Sequence, residues 1–206
     1  MPELYPLFLR LEGRPCLVVG GGEVAGRKVR GLLAAGAQVT VVAPEAGDEV
    51  RFLAGNGRLR WVPRGFEPGD LEGMVLAFAA TSDPEVNRQV IAGGAARGTW
   101  VNAADDPEAS GFHVPAVHRR GGLAVAVATG GAVPALAAWV RDRIARELPC
   151  GLEELVEVAR QLRESTPPSD PKRFRALFDS GILEDLARGD REAAQSKVAE
   201  VFGKGE

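Results

Sequence analysis

The residues with the clearest potential for chemistry are two adjacent aspartates, Asp105 and Asp106, in the stretch VNAADDPEASGF. The stretch begins like the end of a strand, and a carboxylate just beyond a strand can accept a proton as a general base. Turn formation is the alternative, and from turn chemistry alone it is the more common role of aspartates in such a loop. The sequence alone does not show which of the two aspartates would act as the base.

A second set of residues suits phosphate binding. The stretch VVGGGEVAGRK follows an apolar run and opens a helical pattern, and it fits GxGxxA with Gly20, Gly22 and Ala25 at the small positions. In dinucleotide-binding folds these positions allow a tight turn, a close approach of the pyrophosphate, and close packing of helix on strand. A helix starting at Glu23 would direct free N–H groups at the phosphates. The strand–helix context disfavours the alternative, a glycine-rich turn that binds nothing.

The choice of dinucleotide is predicted from the end of the second strand, where an acidic residue usually binds the adenine ribose. Ala43 stands at that place and is followed by Pro44 and Glu45, so Glu45 or backbone groups would make the contact. Residues 41–48 contain no Arg or Lys that could pair with a 2′-phosphate. The sequence therefore predicts NAD rather than NADP.

Two further polar residues, Thr81 and Asn102, lie at the carboxyl ends of the fourth and fifth predicted strands. Ligands of open α/β sheets bind at these ends, which makes both residues candidates for cofactor contacts. Each is equally well explained as a capping residue.

These residues are positioned by an alternation of strand and helix patterns over the first hundred residues. Continuous apolar strands alternating with helices indicate a parallel sheet covered on both faces, which is the Rossmann-type doubly wound α/β fold. The predicted strands are 16–19, 38–43, 58–62, 74–80 and 99–102, and the predicted helices are 23–35, 45–54 and 84–97.

The pattern changes after Asp105. Short strands joined by a turn at Arg119-Arg120-Gly121-Gly122 precede a helix and an amphipathic helical tail. The predicted strands are 112–117 and 123–128, the helix is 134–148, and a break in the tail falls at 166–169. The expected domains are a nucleotide-binding domain over 1–112, a small strand–helix dimerisation segment over 113–148, and a helical C-terminal domain over 149–206.

Composition excludes several other classes. The net charge of −3, with no basic block, argues against a nucleic-acid surface. No window approaches the roughly 18 apolar residues of a membrane span, and the N-terminus does not resemble a secretion signal, so we expect a cytoplasmic protein without a membrane partner. Two cysteines and two histidines are too few to suggest a metal cage, and no metal ligand is predicted.

Four stretches in order give the sequence a family resemblance: YPLFLRLEGRPCLVVGGGEVAGRKVRGLLAAGAQVTVVAP, FAATSDPEVNRQV, VNAADDPEASGFHVPA and VAVATGGAVPALA. The chain resembles the precorrin-2 dehydrogenase and sirohydrochlorin ferrochelatase family, the N-terminal part of siroheme synthases. The resemblance implies NAD-dependent oxidation of precorrin-2 to sirohydrochlorin, an additional iron-inserting activity, and a homodimer whose middle segments associate. An NAD-sensing module without catalysis is the alternative.

The resemblance also implies roles for particular residues. The catalytic aspartate carries over to Asp105, and the nucleotide contacts carry over to Gly22, Glu23, Val24 and the turn 43–45. Thr129 precedes Gly130-Gly131 where these enzymes commonly have a serine, and this stretch is expected to contact the substrate. The substrate carries several carboxylates, for which Arg119 and Arg120 are the candidate partners.

Overall fold

The structure is a computed structural model that describes residues 3–165 and 170–203. The chain divides into two compact units, of which the first ends at Val114 and the second begins at Pro115. The three-part domain division stays a prediction, and the break predicted at 166–169 lies outside the described residues.

The first unit is built on a sheet of five parallel strands. They are β1 (Pro15–Val19), β2 (Gln38–Val42), β3 (Arg60–Val62), β4 (Leu76–Ala79) and β5 (Trp100–Ala103). The order is β3-β2-β1-β4-β5, so the chain moves outward from β1 in one direction and then adds β4 and β5 on the other side. The strand order therefore reverses between β1 and β4, which leaves a crevice at the carboxyl ends of these two strands. The predicted doubly wound fold is confirmed.

Helices cover both faces of this sheet because successive side chains of each buried strand point to opposite sides. They are α1 (Glu23–Ala34), α2 (Asp48–Gly55) and α3 (Pro84–Arg97). Cys16 and Val18 of β1 pack in the cluster that contains the buried residues of α1 and α2. Leu17 and Val19 pack in the opposite cluster, with Val90 of α3. Each fully buried aliphatic side chain of this kind contributes about 1.5–3 kcal/mol to stability.

Three predicted elements in this unit are assigned N-terminal ends that come too early in the sequence. Helix α2 begins at Asp48 rather than at residue 45, because Gly47 is its N-cap and the backbone N–H of Gly47 donates to the Gly21 carbonyl, 2.8 Å away. Strand β3 begins at Arg60 rather than at residue 58, and β4 begins at Leu76 rather than at residue 74.

The second unit begins with an antiparallel pair, β6 (Ala116–Arg120) and β7 (Leu123–Val127), followed by α4 (Pro134–Glu147). The strand predicted over 112–117 is wrong in its first half, because Pro115 lacks an N–H and pairing starts after it. Phe112 instead packs edge-on against Phe78 of β4, with ring centroids 5.4 Å apart. Arg119 and Arg120, predicted in the turn, form the end of β6.

Four short helices complete the described chain around a small core that includes Leu177 and Ile182. They are α5 (Leu152–Ser165), α6 (Pro171–Asp179), α7 (Ile182–Arg188) and α8 (Arg191–Phe202). Asp185 is buried in this core, and the ammonium of Lys197 lowers the pKa of its carboxyl group. Among residues 3–165 and 170–203, none of the helices combines the length and apolar character that crossing a membrane would require.

Candidate active site

The loop after β1 owes its shape to two glycines. Gly20 has a φ of 121°, which side-chain-bearing residues rarely adopt, and a Cβ there would collide with the Ala80 carbonyl at the end of β4. A Cβ on Gly21 would collide with the backbone of Glu45 and Ala46. These contacts press the glycine loop (residues 20–22) against the ends of the two neighbouring strands.

Gly22 differs from the other two glycines. It is the N-cap of α1 with an ordinary extended backbone (φ −80°, ψ −170°), and no atom of the described chain lies within 4 Å of where its Cβ would be. No side chain caps this end of the helix, so the first N–H groups of α1 remain available to a ligand. Ala25 is completely buried where α1 packs on the sheet. The loop therefore fits a pyrophosphate, as the motif predicts.

Charges near this helix end are balanced. The Glu23 side chain is 89% exposed, and its carboxylate lies 3.9 Å from the guanidinium of Arg27. Lys28 is half-buried with its Nζ 5.2 Å from the centroid of the Phe78 ring, and burial lowers the pKa of this ammonium, with a further lowering by Arg27. An anion approaching α1 therefore meets the positive end of the helix dipole and nearby cations as well as Glu23.

The turn proposed for the ribose follows β2. Ala43 is buried, and its carbonyl accepts a hydrogen bond from the indole N–H of Trp61 over 3.0 Å, so this carbonyl is already engaged. Pro44 and Glu45 are exposed. Glu45 is therefore the residue of this turn whose side chain is free to reach a ligand from solvent.

Thr81, at the end of β4, makes its contacts within the protein. Its hydroxyl donates to the Asp83 carbonyl over 2.9 Å and accepts from the Asp83 N–H over 3.1 Å, where Asp83 is the N-cap of α3. Its backbone N–H donates to Oδ1 of Asn87. Thr81 therefore forms a turn just before α3, whose N-cap is Asp83 rather than Thr81, and the predicted contact of Thr81 with the cofactor stays a prediction.

The two aspartates after β5 have different partners. Oδ1 of Asp106 accepts the N–H of Ala109 over 3.0 Å, which is the turn-forming role. Oδ2 of Asp105 instead accepts a hydrogen bond from Nδ2 of Asn87 over 3.0 Å. Asn87 in turn bonds to Thr81, so the Asp105 carboxylate is linked to the end of β4, the strand that also contacts Gly20.

Asn102 is buried in β5 and donates through Nδ2 to the Phe112 carbonyl over 2.9 Å. Ser110 joins the same region, because its hydroxyl accepts the Ala103 N–H and donates to the Asp106 carbonyl. Asn102 and Ser110 therefore secure the loop that carries Asp105, and the predicted contact of Asn102 with the cofactor stays a prediction.

The candidate substrate residues all lie in the second unit. Arg119 is exposed on β6, whereas Arg120 forms an ion pair of 2.9 Å with Glu153 and donates to the Leu148 carbonyl. The Thr129 hydroxyl bonds to the backbone of Val133, just before α4, with Gly130 and Gly131 in the intervening loop. Arg119 pairs with Ala124 across the two strands, but its side chain makes no hydrogen bond or ion pair among the described residues, unlike that of Arg120.

Sequence reasoning did not identify Asn87, Gly21 or Ser110. For Asn87 a signal was available, because an amide occurs on the same helical face as the buried residues Val90 and Gly94. The importance of Gly21 depends on the Glu45–Ala46 backbone, which lies far away in sequence and gives no local pattern.

The family model described as putative NAD(P)-binding matches residues 7–116, more than half of the chain. The chain belongs to the putative NAD(P)-binding family. A second family model, described as sirohaem biosynthesis protein central, matches residues 120–147. The family supports a nicotinamide dinucleotide as the cofactor and leaves open which one.

Members named siroheme synthase are similar over nearly all of this chain. That of Chromobacterium violaceum is 42% identical over 209 residues, which is 98% of this chain and 44% of the relative. That of Methylobacillus flagellatus is 42% identical over 99% of this chain and 45% of the relative. The chain therefore spans less than half the length of these relatives.

A solved structure named SirC, precorrin-2 dehydrogenase, has the same architecture. It superposes with a TM-score of 0.76 at 25% identity and covers 96% of this chain and 100% of its own. Together with the relatives, it confirms the family resemblance inferred from the sequence.

Proposed function

We propose that this chain is an NAD-dependent dehydrogenase that oxidises precorrin-2 to sirohydrochlorin. The observation that carries the proposal is the Asp105 carboxylate, held by Asn87 at the same sheet edge as a glycine loop whose Gly22 has open space. The names of the relatives and of the superposed structure support the substrate.

In this proposal one set of residues binds the cofactor and another accepts the proton. The N–H groups at the start of α1 hold the pyrophosphate, and Glu45 contacts the adenine ribose. Bound NAD supplies the acceptor for a hydride from the reduced macrocycle, so that precorrin-2 and NAD⁺ give sirohydrochlorin, NADH and a proton. Asp105 accepts that proton as a general base. We assign the base to Asp105 rather than to Asp106 because the Asp106 carboxylate bonds within its own turn, whereas the Asp105 carboxylate is linked through Asn87 to the end of β4 beside the glycine loop.

NAD is proposed over NADP from the charges at the ribose turn. Glu45 is exposed, and the start of α2 adds Asp48, whereas the neighbouring Glu49 is paired with Arg30 of α1. A 2′-phosphate would face these carboxylates. Arg51, the nearest arginine in sequence, is paired with Asp48 over 2.7 Å.

A homodimer is proposed through α4. Its face carries Leu136 and Trp139 at 47% and 55% exposure, next to Val133 at 47%. A tryptophan and a leucine exposed together on one helix face are typical of a surface that a partner covers. We propose a second copy as this partner because the family resemblance implies a homodimer whose middle segments associate, and the family model described as sirohaem biosynthesis protein central matches residues 120–147, which include β7 and α4.

The proposal is tested with precorrin-2 and NAD, measuring NADH formation by the wild type and two variants. Asp105→Asn should lower turnover by roughly 10²–10⁴-fold, the usual contribution of general base catalysis. Glu108→Gln makes the same chemical change in the same exposed loop and should leave turnover unchanged.

Binding of NAD, followed by calorimetry, should be similar in all three proteins because Asp105 lies outside the proposed phosphate contacts. A wild type that binds NAD but forms no NADH would instead be an NAD-sensing module. Adding ferrous ion to sirohydrochlorin, with the uncatalysed rate subtracted, tests the iron-inserting activity implied by the family resemblance.

A further inference from the structure

Asn87 is a buried amide. It lies on the buried face of α3 with 2% of its surface exposed, on the face that also carries the buried residues Val90 and Gly94. Burying an amide costs about 1–3 kcal/mol unless its polar atoms find partners. Burying an aliphatic side chain at this position would carry no such free-energy cost. The presence of an amide therefore has to be explained by the hydrogen bonds that it makes.

The amide is held in one orientation by Thr81. Its Oδ1 accepts a hydrogen bond from the Thr81 N–H over 3.2 Å and lies 2.9 Å from the Thr81 hydroxyl, whose single proton is shared between this oxygen and the Asp83 carbonyl. Its Nδ2 donates to the Thr81 carbonyl over 3.2 Å. Reversing the amide would place its NH₂ group against the Thr81 N–H, so these bonds fix which way it faces.

The remaining proton of Nδ2 points to Oδ2 of Asp105, 3.0 Å away. The loop around Asp105 has other anchors, because the Ala104 N–H donates to the Ala79 carbonyl and the Ser110 hydroxyl bonds to Ala103 and Asp106. The Asn87 bond is therefore directed at the carboxylate itself rather than at the backbone that carries it.

We infer that Asn87 is the positioning residue for Asp105 in the proposed dehydrogenase. The amide holds Oδ2 and so restricts rotation of the carboxylate, which leaves Oδ1, without a hydrogen bond among the described residues, to receive the proton. A base held in one orientation avoids the loss that a small misplacement of reacting groups causes. The inference rests on the proposed function, in which Asp105 is the base.

Two variants remove the donor in different ways. Asn87→Ala deletes the amide. Asn87→Asp keeps the contacts of Oδ1 to the Thr81 N–H and hydroxyl while replacing Nδ2 by an oxygen that repels both the Asp105 carboxylate and the Thr81 carbonyl. Each should lower kcat by about 10–100-fold, as loss of an orienting partner typically does. The KM for NAD should stay near the wild-type value. Gln89→Ala, which removes an exposed amide from the same helix, should change neither constant.

A purely structural role is distinguished in two ways. In an Asp105→Asn background, Asn87→Ala should cause no further loss of turnover, because there is no carboxylate left to position. Crystal structures of the ligand-free proteins should show one orientation of the Asp105 carboxylate in the wild type and several in Asn87→Ala.

The inference is overturned if the Asn87 variants keep full kcat, if the losses add in the double variant, or if neither variant folds. A wild type without dehydrogenase activity would contradict the proposed function instead, and the carboxylate orientation in the crystals would still report on the Asn87 bond.

Discussion

At the scale of single residues, identical side chains have different roles because their hydrogen-bond partners differ. Asp106 bonds to the backbone three residues ahead, whereas Asp105 bonds to a side chain 18 residues earlier in the chain. The sequence predicts that a carboxylate occurs after β5, since the strand pattern is local. It does not distinguish the two, since the partner of Asp105 belongs to another element.

The proposed NAD preference gives a prediction at Glu45. Glu45→Arg should let a 2′-phosphate gain a charged hydrogen bond worth about 1.5–3 kcal/mol, so the Kd for NADP relative to that for NAD should fall by about tenfold or more. Titration of both dinucleotides by fluorescence or calorimetry measures the ratio. Glu72→Arg, the same charge change at an exposed site just after the 3₁₀ turn Pro68–Leu71, is the control. Equal ratios in the two variants would show that Glu45 is not near the ribose.

At the scale of elements, the strand–helix alternation was predictable because each buried strand and each amphipathic helix carries its own local pattern. The start of α2 was predicted too early because the glycine loop captures the N–H of Gly47, a contact between distant segments. The strand predicted over 112–117 starts too early for the same kind of reason. Phe112 packs on Phe78, a residue distant in sequence, and the local apolar pattern does not reveal that contact.

Two glycines, the N-cap Gly22 and Gly31 within α1, have no atom within 4 Å of where a Cβ would lie, and comparing them gives a prediction about the N-terminus of α1. Gly22→Ala should fold with nearly unchanged stability, because its Cβ meets no atom within 4 Å, but should weaken NAD binding by filling the space of the pyrophosphate. Gly31→Ala, also in open space within α1, should raise stability by about 0.5–1 kcal/mol and leave NAD binding unchanged. Thermal unfolding and calorimetry measure the two properties. If Gly22→Ala binds NAD like Gly31→Ala, the phosphates do not lie on this loop.

At the scale of the whole molecule, this chain matches the Chromobacterium violaceum siroheme synthase over 98% of this chain's length. The match covers only 44% of the length of that relative. This chain also matches the whole of the superposed dehydrogenase chain. The proposed dimer belongs to this scale, because its surface lies on α4 of the second unit.

Trp139→Glu should convert the proposed dimer into a monomer, because a carboxylate in place of a 55% exposed indole would be buried without a partner at the interface. Light scattering after size-exclusion chromatography measures the mass. Phe52→Glu, which changes an exposed aromatic residue of α2 in the first unit, should leave the mass unchanged. A wild-type protein that is monomeric at all concentrations would refute the dimer.

The most direct test of the central claim is a crystal structure of the protein with bound NAD. We expect the pyrophosphate oxygens about 2.7–3.2 Å from N–H groups at the start of α1, with the nicotinamide ring facing the Asp105 carboxylate. A dinucleotide bound away from the glycine loop, or an Asp105 side chain turned to solvent while the ring lies elsewhere, would contradict both the binding site and the proposed base.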